Sequence, residues 1–398
     1  MLALVLTGGL LATGCSAAPR ATNVVRITAD VANSRPISLS LAMLRAAGAG
    51  PDQFGWSVAL SGNTAVVGAP WEVLATRPTT AGRIYVFTHN ASGWKQSAEL
   101  QPYDSMAGDW FGHAVAISGG TIVVGAPQHG APQPVGRAYV FTETASGWKQ
   151  TAEFKGSGTE DLGYSVAISG TTAVVGAEGD VNAAGRAYVF SQTSRGWRQV
   201  AVLEPSDATP HDGFGFALAI SEDTVVVGAP GAARGGGAYV FTKTGAGWRQ
   251  VAELKGSDSA AGDIFGGCVA VSGATVVVGD PFHASKAGRA YVFSQIASGW
   301  KQVAELKGSD TVANDHFAAS VATSGAAIVI GAPRLPKSGR TYVFTRTASG
   351  WKQLVELKDP DTSRHDGFGL AVAISDDTTL VGAPDSPSSV GEAFLFKV

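Results

Sequence analysis

Five aspartate pairs recur at one spacing: Asp104/Asp109, Asp207/Asp212, Asp258/Asp263, Asp310/Asp315 and Asp361/Asp366, each followed two residues later by Phe. Paired carboxylates can hold calcium, but calcium takes six to eight oxygens. Two carboxylates per loop fall short, and no third acidic position recurs. The pattern suits turn capping better, each Asp side chain accepting from nearby backbone N–H groups. No cofactor or metal is expected, with calcium on these loops as the alternative. His211-Asp212 and His365-Asp366 stand about 150 residues apart and read as solvated loop residues. Cys268 occupies a position where the other repeats have Ser or Ala, so it reads as a small buried residue rather than a nucleophile. There is no Ser-centred elbow, phosphate loop or paired zinc spacing. Binding is expected rather than catalysis.

One position varies while its surroundings hardly change: Trp56, His113, Tyr164, Phe216, Gly267, Ala319 and Leu370. The large rings would make one side of an axial funnel aromatic, a stacking surface for a sugar or an anchor for a protein. Ordinary filling of a central channel by bulky side chains is an equal reading. A second variable set is Trp71-Glu72, Gln128-His129, Arg234, Phe282-His283 and Arg334-Leu335, in loops expected on the same face. Variable loops on a rigid scaffold commonly carry binding. Trp56, His113, Tyr164, Phe216, Trp71 and Phe282 are the candidate ligand contacts.

These residues sit on an internal repeat. Phe-Gly-x-x-Val and its variants begin at Phe54, Phe111, Leu162, Phe214, Phe265, Phe317 and Phe368, with spacings of 57, 51, 52, 51, 52 and 51 residues. Each unit reads as four short strands, exemplified by Phe54 to Leu60, Ala65 to Val67, Arg83 to Phe87 and Trp94 to Leu100. Gly, Ser and Pro punctuate them. Four antiparallel strands in about 50 residues, repeated, predict an all-β, seven-bladed β-propeller. The fourth residue of each first strand is small (Ser57, Ala114, Ser165, Ala217, Cys268, Ser320, Ala371), as convergence on an axis demands. Unbroken apolar runs such as Val225-Val226-Val227 predict strands buried on both faces. Gly-Trp-Lys/Arg-Gln occurs six times and suits a half-exposed outer strand.

The last unit ends at Val398 after three strands. Residues 36–44 are expected to supply its fourth, Met43 falling where Leu254 falls in its own unit, so that an N-terminal strand closes the last blade and removes an aggregation-prone edge. The propeller then spans residues 36–398, with 15–35 as a tether.

Gly-Ala-Pro follows the second strand at Gly68, Gly125, Gly228, Gly331 and Gly382, while Glu178 and Asp280 break individual copies. Phe-Gly followed by Gly-Ala-Pro resembles the FG-GAP repeat of integrin α-subunit propellers and, more closely, bacterial FG-GAP repeat proteins. The resemblance covers about residues 37–398 and implies the propeller fold and an adhesion or protein-binding role. A carbohydrate-binding propeller is the alternative, ahead of an enzyme or a structural envelope subunit. Integrin-like blades carry calcium loops between their first two strands, but the connection here is as short as Ser61-Gly62-Asn63-Thr64, so those sites do not carry over.

Met1 to Ala12 is apolar but too short to span a bilayer and has the length of a signal-peptide core. Leu11-Ala12-Thr13-Gly14-Cys15 resembles a bacterial lipobox, which implies lipidation of Cys15 and removal of residues 1–14. Ala12 stands where Leu is usual, and no Lys or Arg precedes the apolar stretch. Cleavage near Ala18 as an ordinary secretory signal is the other reading. Either way the protein is expected outside the cytoplasmic membrane, held by a lipid at most, and as a monomer. The net charge of −3 and the absence of a basic cluster argue against nucleic acid.

Overall fold

The computed structural model describes residues 25–29, 37–46, 53–70, 81–130, 135–156, 161–179, 184–232, 235–333, 339–360, 367–384 and 391–398. Among them the strands form six four-stranded antiparallel sheets and one five-stranded sheet, the blades of a seven-bladed propeller. Blade 1 is representative: Ser57–Ser61, Thr64–Ala69, Arg83–Asn90 and Gly93–Leu100 pair in that order from the axis outward. Ser61 pairs with Thr64, so only Gly62 and Asn63 bridge the first hairpin. Second strands are buried on both faces (Val66 and Val67 are fully covered), and the outer strands alternate.

The inner strands start three residues later than the sequence suggests. Phe54-Gly55-Trp56 forms a turn in which the Trp56 N–H donates to the Gln53 carbonyl at 3.1 Å. Gly55 has φ +99, which an extended strand cannot accommodate. The varied position therefore sits on the turn that enters the inner strand.

That turn locks neighbouring blades together. A Cβ on Gly68, the glycine of blade 1's Gly-Ala-Pro, would collide with the Gly112 carbonyl oxygen on the entry turn of blade 2. The same approach recurs in every blade, Gly125 against Gly163 and Gly279 against Ala318 among them, and Gly382 against Gly55 closes the ring. The small first residue of the inner strand faces the same carbonyl. Ser57, Ser165 and Ser320 donate to the carbonyls of Gly112, Gly215 and Gly369 at 2.6–2.8 Å, and Cys268 Sγ to that of Ala318 at 3.0 Å. At the opposite end, the Ser that ends an inner strand accepts from the next blade's hairpin: Gly119 N–H to Ser61, Gly170 to Ser118, and Gly62 back to Ser375.

Among the described residues, seven hydrophobic clusters lie between blades, not within them. Val66, Ile84 and Val86 of blade 1 meet Phe111, Tyr139 and Phe141 of blade 2. One interface exchanges its parts: Phe154 stands where other outer strands end in Leu, and Leu162 where other blades open with Phe. Both are buried in one cluster, with Phe154 stacked on Phe190 at 3.9 Å. Such a volume-conserving swap leaves the core filled.

Ile37–Leu44 completes the seventh blade, pairing antiparallel with Glu392–Lys397. The register corrects the sequence alignment by one residue. Leu44, not Met43, pairs with Ala393 as Leu254 pairs with Ala238, because the connection to the next Phe is one residue shorter. Leu44 is fully buried in the cluster joining blades 7 and 1, whereas Met43 is half-buried on the other face. Within the segment expected as a tether, Val25–Ala29 forms a strand that adds to Ile37–Leu41 and gives this blade its fifth member.

Leu44→Ala is expected to cost about 2–5 kcal/mol, like Leu254→Ala, and Met43→Ala clearly less. Urea unfolding of the three variants checks the register, and a larger loss for Met43→Ala would restore the sequence alignment.

Candidate functional site

The entry turns of consecutive blades bring four of the expected residues into an arc. Trp56 and His113 have ring centroids 6.0 Å apart, His113 and Tyr164 4.8 Å, and Tyr164 and Phe216 5.1 Å. Trp56, His113 and Tyr164 line an axial cavity of about 280 Å³ together with Ala319, Leu370 and the small inner-strand residues. Phe216 stands behind Tyr164 and is not among the lining residues. Sequence reasoning missed Trp110, whose indole stacks on His113 at 6.0 Å with planes 17° apart. It stands just before Phe111, where no other unit has an aromatic except His316, which was the available signal.

Burial governs the titratable groups at the cavity. His113 Nδ1–H donates to the Tyr164 carbonyl at 3.1 Å, and burial pushes the imidazole down to about 4, leaving it neutral at physiological pH. Burial pushes the Cys268 thiol far up, so it stays protonated and donates to a backbone carbonyl, the structural role its small size suggested. Burial and the neighbouring Glu178 carboxylate push the Tyr164 hydroxyl up.

Phe282 does not join the arc. It is 37% exposed on the loop after blade 5's second strand, edge-on to His316 at 5.4 Å with Lys286 Nζ 5.0 Å from its ring centroid. Trp71, Arg234, Arg334, Leu335, His365, Asp361, Asp366 and Cys15 lie outside the described residues.

The aspartate pairs divide their labour. The second Asp caps a turn: Asp109, Asp212, Asp263 and Asp315 accept from the N–H groups of Met106, Thr209, Ala260 and Val312 at 2.7–2.9 Å. The first Asp accepts from a buried tyrosine of the third strand, Tyr291 to Asp258 at 2.7 Å and Tyr342 to Asp310 at 2.8 Å. In blades 2 and 5 a histidine enters between the pair. His129 Nδ1 is 3.0 Å from Asp109 and His283 Nδ1 3.0 Å from Asp263, while their Nε2 atoms lie 3.9 Å from Asp104 and 3.4 Å from Asp258. In blade 5 the carboxylate of Asp280 joins this group. The sequence carried the signal, an Asp breaking Gly-Ala-Pro three residues before a His, but not the loop that comes to meet it. His211, by contrast, is exposed, as expected of a loop histidine.

A closed ring of seven antiparallel blades with an aromatic axial mouth defines the molecule as a β-propeller whose loop face carries the sequence variety. Seven stretches match the FG-GAP repeat family, residues 44–87, 94–141, 149–190, 197–241, 248–293, 300–344 and 351–396, and the chain belongs to that family. Each stretch starts in or at the end of one blade's outer strand and ends in the third strand of the next blade, so the sequence repeat straddles the structural one. No curated protein has a significantly similar sequence. Among solved structures, a chain of the mitotic checkpoint complex is similar over 95% of this chain and 98% of its own, at 12% identity and TM-score 0.57. Sqt1 from Chaetomium thermophilum is similar over 83% of this chain and 79% of its own, at 17% identity and TM-score 0.51. At these identities the likeness shows the fold alone.

Glu178 makes the loop face sensitive to pH. Burial, then the charge of Asp161, pushes its carboxyl from 4.5 up to about 7. The folded state thus holds a proton more tightly than the unfolded chain, so this contribution is full below about pH 4.5 and is lost as pH rises through about 7. Glu178→Gln should leave the melting temperature near that of wild type at pH 4.5 and raise it increasingly above wild type towards pH 8. A wild-type-minus-variant difference that does not change with pH would exclude the shift.

Proposed function

We propose that the loop face is a binding surface for a protein partner outside the cytoplasmic membrane, with the protein held there by a lipid on Cys15. The observation that carries this reading is the Trp56–His113–Tyr164 arc at the axial cavity, with Trp110 behind it. Aromatic groups beside a recess are the usual anchors of protein interfaces. An FG-GAP propeller suits a binding or adhesion module, its blades supplying a rigid frame and its loops the variation. The buried, protonated Cys268 thiol supports binding rather than nucleophilic catalysis. Among the described residues no helix is long and apolar enough to cross a membrane, and a lipidated cysteine needs none.

A glycan is the second reading, favoured by the same aromatic faces. The third and fourth rings do not repeat the first two, which suits one site better than a ring of equivalent sugar pockets.

The test uses the full chain with Cys15→Ser against cell-surface proteins and a glycan array. Saturable binding to a protein is expected, with Trp56→Ala and Tyr164→Ala each weakening it by about 2 kcal/mol or more, near 30-fold, at unchanged melting temperature. Glycan binding lost in the same variants selects the second reading. Binding that survives both substitutions removes the funnel as the site.

A further inference from the structure

Seven residues occupy the middle position of Gly-Ala-Pro or its variants, and six of them are fully buried alanines: Ala69, Ala126, Ala177, Ala229, Ala332 and Ala383. The seventh is Asp280, equally buried at 0% exposure. Its Oδ1 accepts from the backbone N–H groups of Ile264 and His283, both at 3.2 Å. Its Oδ2 is buried with no hydrogen-bond partner. Leaving a buried carboxylate oxygen unsatisfied costs free energy that alanine would avoid, so a ligand that compensates it is the physical reason to carry an aspartate there.

The surroundings supply the rest of a coordination shell. Donor atoms of Asp263, Asp280 and His283 all lie within 4.8 Å of one another. On the far side of the ring, His283 Nε2 is 3.4 Å from Asp258, which in turn accepts from Tyr291 at 2.7 Å. A histidine whose second nitrogen faces a carboxylate is the usual outer-shell arrangement of a metal ligand, because that bond sets the tautomer and orients the ring. The geometry points to a divalent transition-metal site, with His283 Nδ1, Asp263 and Asp280 as ligands and with Asp258 and Tyr291 as positioning residues.

The donor set selects the class of ion. One imidazole and two carboxylates form a mixed nitrogen–oxygen set, which suits zinc and its first-row neighbours. Calcium requires six to eight oxygens and takes no benefit from the imidazole. The ion takes the Nδ1 lone pair while the ring proton sits on Nε2 facing Asp258, so the ion displaces the hydrogen bond between His283 and Asp263. Its effect is to tie two loops together, the one linking blade 4 to blade 5 and the one following blade 5's second strand, beside the exposed Phe282.

Blade 2 is an internal control. Asp104, His129 and Asp109 repeat the Asp–His–Asp arrangement, with Ala126 in place of the third carboxylate. Calorimetric titration of the full Cys15→Ser chain with Zn²⁺, and of the same chain with Co²⁺ followed by visible absorption, should show one saturable site. Asp280→Ala restores the residue of the other six blades and is expected to fold, to melt no lower than metal-free wild type, and to lose the site. His283→Gln should also lose it, Tyr291→Phe should weaken it by roughly 10- to 100-fold, and His129→Gln should leave it unchanged. Ala126→Asp should add a second site. Absence of saturable binding overturns the assignment, as does binding that persists in Asp280→Ala or disappears in His129→Gln. Calcium binding at these residues in place of zinc and cobalt would overturn the class of ion.

Discussion

The carbonyl oxygen of the residue that follows each opening Phe or Leu lies against the Cα of the preceding blade's Gly-Ala-Pro glycine. That backbone-to-backbone approach sets the spacing of the ring. A side chain at the Gly-Ala-Pro glycine would push two blades apart, and in a closed ring a displacement at one interface must be absorbed by the other six. Around this approach the repeat arranges its remaining requirements. A small residue opens the inner strand because it faces the same carbonyl, and Ser57, Ser165, Ser320 and Cys268 turn that proximity into a hydrogen bond. Ala318 occupies the left-handed turn at φ +66 where the other blades have Gly, and it still presents its carbonyl to Gly279.

Since each core lies between two blades, no blade can bury its apolar face alone. Tyr139 and Phe141 are covered by the previous blade's Val66, Ile84 and Val86, and the cluster of Leu44, Phe54 and Leu395 joins the last blade to the first. The family repeat, which begins with the outer strand of one blade and runs into the next, has the boundaries this coupling implies. It also explains why a strand from residues 37–44 must return to blade 7: Ala393 and Leu395 belong to the interface that Leu44 completes.

A rigid ring frees the loop face from structural duty. The entry turns need a buried Phe or Leu followed by Gly, or Ala318 in blade 6, in the left-handed conformation, but the next residue is free to be Trp, His, Tyr, Phe, Gly, Ala or Leu. The loops after the second strands enjoy the same licence. In blade 5 it is used to bury a carboxylate, in blade 3 to set Glu178 beside Asp161, and in blade 2 to place His129 between two aspartates.

The sequence by itself determined the all-β class, the number of blades, the two-residue hairpins, the doubly buried middle strands and the origin of the closing strand. Each of these follows from local periodicity and from a motif repeated at fixed spacing. It also placed Trp56, His113 and Tyr164 on one face, because equivalent positions in a symmetric ring share a face. The one-residue register of Leu44, the role of the first Asp as a tyrosine's acceptor, the stacking of Trp110 on His113, and the meeting of Asp280 and His283 with Asp263 were decided only by the tertiary structure. They depend on how far each linking loop reaches over its neighbour. A loop's path is set by contacts between segments distant in the chain, which no local pattern of residues records.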